Sequence, residues 1–99
     1  MRIGAIIQAR MGSTRLSGKV MKKIAGKTVL EHVIERVNQS NLIDTIIIAT
    51  TTHERDDVIA DEAKECGAKY FRGSEEDVLS RYYYAAKEND IDLVVRITS

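Results

Sequence analysis

The chain has no proline, no tryptophan, one cysteine and five aromatic residues. A single cysteine, Cys66, excludes an internal disulfide and a cysteine-built metal cluster. The absence of proline leaves no proline-rich linker, and repeats and low-complexity tracts are also missing. No apolar run approaches the roughly 18 residues that a membrane span needs. The apolar run at 3–7 is too short for a signal peptide, and no small-residue cleavage site follows before Arg10. A cytoplasmic protein is therefore expected. Acid is missing from residues 1–27, which carry seven basic side chains: Arg2, Arg10, Arg15, Lys19, Lys22, Lys23 and Lys27. The other residues hold eight basic and fifteen acidic groups, so a net charge of zero conceals a positive segment followed by a negative one. Such an asymmetry points to an anion site near the N-terminus. The basic segment has no aromatic side chain on which a base could stack, which argues against single-stranded nucleic acid.

What is present fits one domain over residues 1–99, with a modest core. Residues 3–7, 46–49 and 93–97 are short apolar runs rich in β-branched side chains and read as strands buried on both faces. Residues 68–72 give a weaker fourth strand. Between them lie helical patterns. In 28–39, Val29, Leu30, Val33, Ile34 and Val37 share a face, and Thr28 with Glu31 makes a capping box. In 55–66, Val58, Ile59, Ala63 and Cys66 line a face, and Gly67 suits a left-handed cap. In 75–88, Val78, Leu79, Tyr82, Tyr83 and Ala86 repeat the pattern, while Tyr84 points elsewhere. Ser74 and Asp77 offer a second capping box, with Glu75, Glu76 and Asp77 in the first turn. Strands alternating with helices predict an α/β fold: a parallel sheet with right-handed crossovers and helices on both faces.

Ligands on such sheets sit at the carboxyl ends of the strands. The segment after the first strand, residues 8–19, is longer than an ordinary strand-to-helix connection and reads as a functional loop. Gly12 and Gly18 let backbone amides approach a phosphate, and Ser13 and Thr14 add hydroxyls. Arg10 and Arg15 supply guanidinium forks, and Lys19 supplies a mobile point charge. Together they suit a triphosphate and the negative charge that grows during phosphoryl transfer.

Two other phosphate signatures fail. Gly26-Lys27-Thr28 resembles the end of a P-loop, but Met21 stands where the motif needs glycine, so the stretch reads as a turn leading into a helix. No G-x-G-x-x-G supports a dinucleotide. His32 and His53 lack a paired metal ligand, and Cys66 reads as a core thiol. Asp56, Asp57, Asp61, Glu62 and Glu65 read as a solvated helix face.

Four ordered blocks carry a resemblance over the whole chain: 6–19 (IIQARMGSTRLSGK), 24–33 (IAGKTVLEHV), 47–51 (IIATT) and 71–82 (FRGSEEDVLSRY). They resemble the cytidylyltransferases that make CMP-activated acidic sugars, in particular the spore-coat polysaccharide biosynthesis branch. The 3-deoxy-manno-octulosonate and acylneuraminate enzymes are more distant. The resemblance implies a three-layer, Rossmann-like nucleotide-diphosphosugar transferase fold and transfer of CMP from CTP to an acidic sugar or sugar phosphate, with release of pyrophosphate. It implies a nucleotide site of Gln8, Ala9, Arg10, Gly12, Ser13, Arg15 and Lys19, with Arg10 and Lys19 as phosphate ligands and catalytic residues. Thr50 and Thr51, with Arg72, Gly73 and Ser74, would approach the cytosine.

Ser17 departs from the family's usual proline. The family's magnesium-binding aspartate would follow Thr98-Ser99, so the ligand for Mg2+ and the sugar-binding half are expected beyond this chain. The chain alone is then expected to be an inactive N-terminal fragment that self-associates as a homodimer, its partners being CTP and a sugar acceptor rather than nucleic acid or membrane. The alternatives are an enzyme of the same fold with another base or acceptor, and a non-catalytic nucleotide- or protein-binding module.

Overall fold

The computed structural model describes residues 1–12 and 18–98. Four strands form one sheet: β1 (Ile3–Gln8), β4 (Thr45–Thr51), β5 (Lys69–Gly73) and β6 (Leu93–Thr98), in the order β5-β4-β1-β6. Every pairing in it is parallel, as the alternation of strands and helices predicts. Two short strands, β2 (Lys23–Ile24) and β3 (Lys27–Thr28), add an antiparallel hairpin. Among the described residues, three α-helices complete the fold: α1 (Val29–Asn38), α2 (Asp57–Glu65) and α3 (Val78–Glu88).

The sheet is covered on both sides, because side chains alternate along each strand. Ile7, Ala9 and Ile48 meet Leu30, Ile34, Ile59 and Ala63 of α1 and α2. Ile6, Ile47 and Ala49 meet Tyr82 and Ala85 of α3 on the other face. Register enforces this division: Ile6 pairs with Ile47 and Ile7 with Ile48, all with no exposed surface. From β1 the chain passes through α1 to β4 on one side. It reaches β6, on the other side of β1, through α3. The strand order therefore reverses between β1 and β6, the kind of point where open α/β sheets bind ligands.

Several expectations need correction. β6 is not buried on both faces: it is the outer strand, and Leu93 and Val95 are 49% and 39% exposed. Val58 lies outside the buried face of α2, at 44% exposure, because residues 54–56 form a 3-10 turn that rotates α2 to bury Ile59, Ala60 and Ala63. In α3, Leu79 and Tyr83 are exposed, and the buried line runs through Arg81, Tyr82 and Ala85. Small Ala85 lets the helix approach the sheet there.

The third helix also starts at Val78, not at residue 75. Asp77 caps it by accepting from Ser80 N–H at 3.0 Å, while Ser74 Oγ accepts from Asp77 N–H at 3.1 Å and closes the preceding turn. Arg81 occupies the carbonyls of Ser74 and Glu75, which an earlier start would have spent on helical bonds. The hydroxyl arm of the first expected box does form, with Thr28 Oγ1 accepting from Glu31 N–H at 3.0 Å. Gly67 takes the expected left-handed conformation. Residues 25–26 form the turn between β2 and β3, and His32 Nε2–H of α1 donates to Ile24 O at 2.7 Å, binding the hairpin to the helix.

Adjacent residues 58 and 59 test this orientation of α2. Ile59→Ala should destabilise the chain by about 2–5 kcal/mol through an unfilled cavity, and Val58→Ala should stay within about 0.5 kcal/mol of zero. Urea unfolding curves of the two variants measure both; equal losses would mean that the helix is turned differently.

Candidate nucleotide site

The carboxyl ends of β1, β4 and β5 bring most of the expected site residues to one edge. Gln8 ends β1, and Ala9 N–H extends the ladder to Ala49 O at 3.0 Å. Arg10 and Gly12 follow. Gly18 N–H donates to Met11 O at 3.2 Å, so the loop returns close to its start before Lys19 opens a 3-10 turn. Ser13, Thr14, Arg15, Leu16 and Ser17 lie outside the described residues. Arg10 is half-buried and Lys19 is exposed; neither side chain has a hydrogen bond or ion pair to another described residue.

A residue misread as solvated holds this edge together. Asp56 has no exposed surface. One carboxylate oxygen accepts from Met11 N–H at 2.7 Å, and the other accepts from the Thr51 hydroxyl. It therefore fastens the loop after β1 to the end of β4. Thr51 Oγ1 also accepts from His53 N–H at 3.2 Å. The carboxylate precedes α2 but makes no side-chain bond to the amides of its own helix. A capping acid and a tethering acid look alike in sequence. The available signal was Thr51, a strand-end hydroxyl five residues before Asp56.

Arg72 is similarly committed. Its Nε–H donates to Thr51 O at 2.8 Å, one Nη donates to His53 O at 2.9 Å, and the other pairs with Asp57 at 2.8 Å. The guanidinium thus braces β5 against the segment after β4. Gly73 O accepts from Thr52 N–H at 3.1 Å and continues that brace. Ser74 is exposed next to it. Thr50 is fully buried, and its hydroxyl has no partner. Arg55 pairs with Glu75 and packs over Gly12, where any side chain would collide with the guanidinium.

Among the described residues, metal-capable groups do not converge on this edge. Among the described residues, the cluster of three such side chains is Glu31, Glu62 and Cys66, between α1 and α2. A thiol is a poor magnesium ligand, and Glu62 already accepts from the Thr28 hydroxyl at 2.5 Å. Burial, followed by the charge of Glu62, pushes the Cys66 thiol up to about 11, so it stays protonated at neutral pH. The donor set does not fit magnesium. No described helix is long and apolar enough to cross a membrane.

The cytidylyltransferase family model matches residues 4–99. This chain belongs to the cytidylyltransferase family. It is 39% identical over 97 residues to the spore coat polysaccharide biosynthesis protein SpsF of Bacillus subtilis, covering 94% of this chain and 40% of that one. A solved cytidylyltransferase from Leptospira borgpetersenii superposes with a TM-score of 0.94 at 42% identity, over 99% of this chain and 41% of that one. A CMP:2-keto-3-deoxy-manno-octonic acid synthetase complexed with CTP gives a TM-score of 0.84 at 25% identity, over 99% of this chain and 40% of that one. The chain thus spans about two fifths of the length of these relatives. Fold and family agree with the resemblance carried by the four sequence blocks.

The tether gives a direct prediction. Asp56→Ala leaves buried donors without an acceptor and should cost about 1–3 kcal/mol for each. Asp57→Ala removes one exposed carboxylate from the Arg72 brace, which keeps its bonds to Thr51 O and His53 O, and should cost less than about 1 kcal/mol. Chemical denaturation of the two variants separates them, and an Asp56 variant as stable as the Asp57 variant would contradict the tether.

Proposed function

We propose that the chain is the CTP-binding part of a longer enzyme that transfers CMP from CTP to an acidic sugar or sugar phosphate, for a surface polysaccharide. The observation that carries this is the pair of uncommitted cations, Arg10 and Lys19, on a tethered loop at the carboxyl end of the central strand. The relatives' names supply the rest: one is a synthetase complexed with CTP, and another belongs to spore-coat polysaccharide biosynthesis.

In this reading an acceptor oxygen attacks the α-phosphorus. The bond from that phosphorus to the oxygen bridging the β-phosphate breaks, and pyrophosphate leaves. Arg10 and Lys19 bind the phosphates and offset the charge that develops on the leaving group. Ser13 and Arg15 belong to the same loop and complete the phosphate contacts. Gln8, Ala9 and Gly12 present backbone and side-chain groups to the nucleotide. Gly73 and Ser74 form the side facing the cytosine; Thr50 and Thr51, fully buried, support that side from beneath, and Arg72 keeps it in position rather than touching the base. A magnesium ion would neutralise phosphate charge. The donor set of Glu31, Glu62 and Cys66 is not one that would hold it.

The exposed apolar side of β6, together with Leu79 and Tyr83 of α3, supports self-association of the chain through this edge.

Lys19→Ala should weaken CTP binding by about 1.5–3 kcal/mol, the range for a hydrogen bond to a charged group. Isothermal calorimetry with CTP and UTP measures this. Unchanged CTP affinity would remove Lys19 from the site, and equal affinity for the two nucleotides would favour an enzyme of the same fold acting on another base. Light scattering on the same samples reads the dimer; a monomer at all concentrations would contradict self-association.

A further inference from the structure

Beneath this edge lies a buried guanidinium with unmet donors. Arg81 of α3 is 1% exposed. One of its Nη groups donates to Ser74 O at 2.6 Å and to Glu75 O at 3.1 Å. Its Nε–H and its other Nη group are buried and have no acceptor. The carboxylates within electrostatic reach are those of Asp56 and Glu75, and both are engaged: Asp56 by Met11 N–H and the Thr51 hydroxyl, Glu75 by Arg55. Tyr82 also acts on Arg81, and so does another cation. Burial first, and then the charge of Arg10, pull the Arg81 guanidinium below its ordinary range.

A buried cation is costly unless it is paired and its donors are satisfied. An arginine with only a structural duty would place its other donors on neighbouring carbonyls as well. Arg81 thus holds idle donors and feels the like charge of Arg10, whose side chain has no partner among the described residues. An anion lying between them removes the repulsion and fills the empty donor positions at once. The planar fork suits phosphate oxygens. A neutral base carbonyl could accept one hydrogen bond but could not offset the charge. Gly73 makes the arrangement possible: a Cβ there would stand 3.2 Å from Arg81 Cγ and 2.9 Å from Phe71 Cε2.

We propose that Arg81 is a phosphate-binding residue of the nucleotide site, sharing with Arg10 one phosphate group of the bound nucleotide. This deepens the CTP-binding reading above and rests on it. Arg81 then has two duties: it fixes the Ser74–Glu75 backbone with one side of its fork and receives phosphate with the other.

The test uses the chain itself with three probes: CTP, inorganic pyrophosphate and cytidine. Arg81→Gln should weaken CTP and pyrophosphate by about tenfold or more while changing cytidine less than about twofold, and Arg81→Lys should recover part of the loss. In the wild-type chain, the Arg81 Nε–H signal, identified by its disappearance in Arg81→Lys, should shift saturably with pyrophosphate. Unchanged pyrophosphate affinity would overturn the proposal. So would an equal loss for cytidine and CTP, which would leave Arg81 only its backbone duty. Where Arg81→Gln does not fold, the wild-type Nε–H signal decides: a shift supports the proposal and a static signal overturns it. Wild-type chain that binds no CTP would overturn the functional reading and this proposal together. CTP binding with full affinity in Arg81→Gln would overturn this proposal alone.

Discussion

The candidate site depends on one buried carboxylate. Asp56 joins two segments far apart in sequence, accepting from Met11 N–H after β1 and from the Thr51 hydroxyl at the end of β4. Removing a carboxylate from water costs several kcal/mol, and charge-assisted hydrogen bonds to two donors offset that cost only when both are well placed. The position of residues 11 and 12 is therefore coupled to the central pair of strands. Without this tether, Met11 and Gly12 would lose their attachment to the end of β4, while Arg10 would keep only that of Ala9 to Ala49.

A second constraint is the division of charge. At the carboxyl edge, several acids are consumed by internal duties: Asp56 by the tether, Asp77 by the cap of α3, Asp57 by Arg72 and Glu75 by Arg55. Among the cations, Arg55 and Arg72 serve as braces, whereas Arg10 and Lys19 have no described partner and Arg81 is only partly satisfied. The cations left without a described side-chain partner, Arg10 and Lys19, follow β1, and Arg81 lies by the end of β5. In the proposed reading, an edge organised in this way meets a polyphosphate with its groups already placed, which lowers the reorganisation that binding requires.

Much of the architecture was legible because strand burial is written as apolar runs. Ile6, Ile7, Ile47 and Ile48 could belong only to buried parallel strands, and Thr28 and Gly67 marked helix ends by their chemistry. Other features were not legible, for identifiable reasons. Leu79 and Tyr83 fit an apolar face as well as Tyr82 and Ala85 do, and only packing against the sheet decides which pair turns inward. An arginine on the buried line of a helix runs against the usual exposure of charged residues, so nothing in the sequence marks Arg81. Asp56 sat in a cluster of acids whose members look equivalent until a fold brings Met11 beside one of them. The β2–β3 hairpin was missed because two-residue strands carry no periodicity.

The central claim is that a nucleotide binds at the carboxyl edge of β1, over the tethered loop. The most direct measurement is a backbone amide NMR titration of the chain with CTP. The account predicts saturable shifts at Ala9, Arg10, Gly12, Gly18, Lys19, Thr51, Gly73 and Ser74, with the far end of the sheet near Asp44 and Lys69 unchanged. Shifts confined to that far end, or to the groove between α3 and β6, would contradict it.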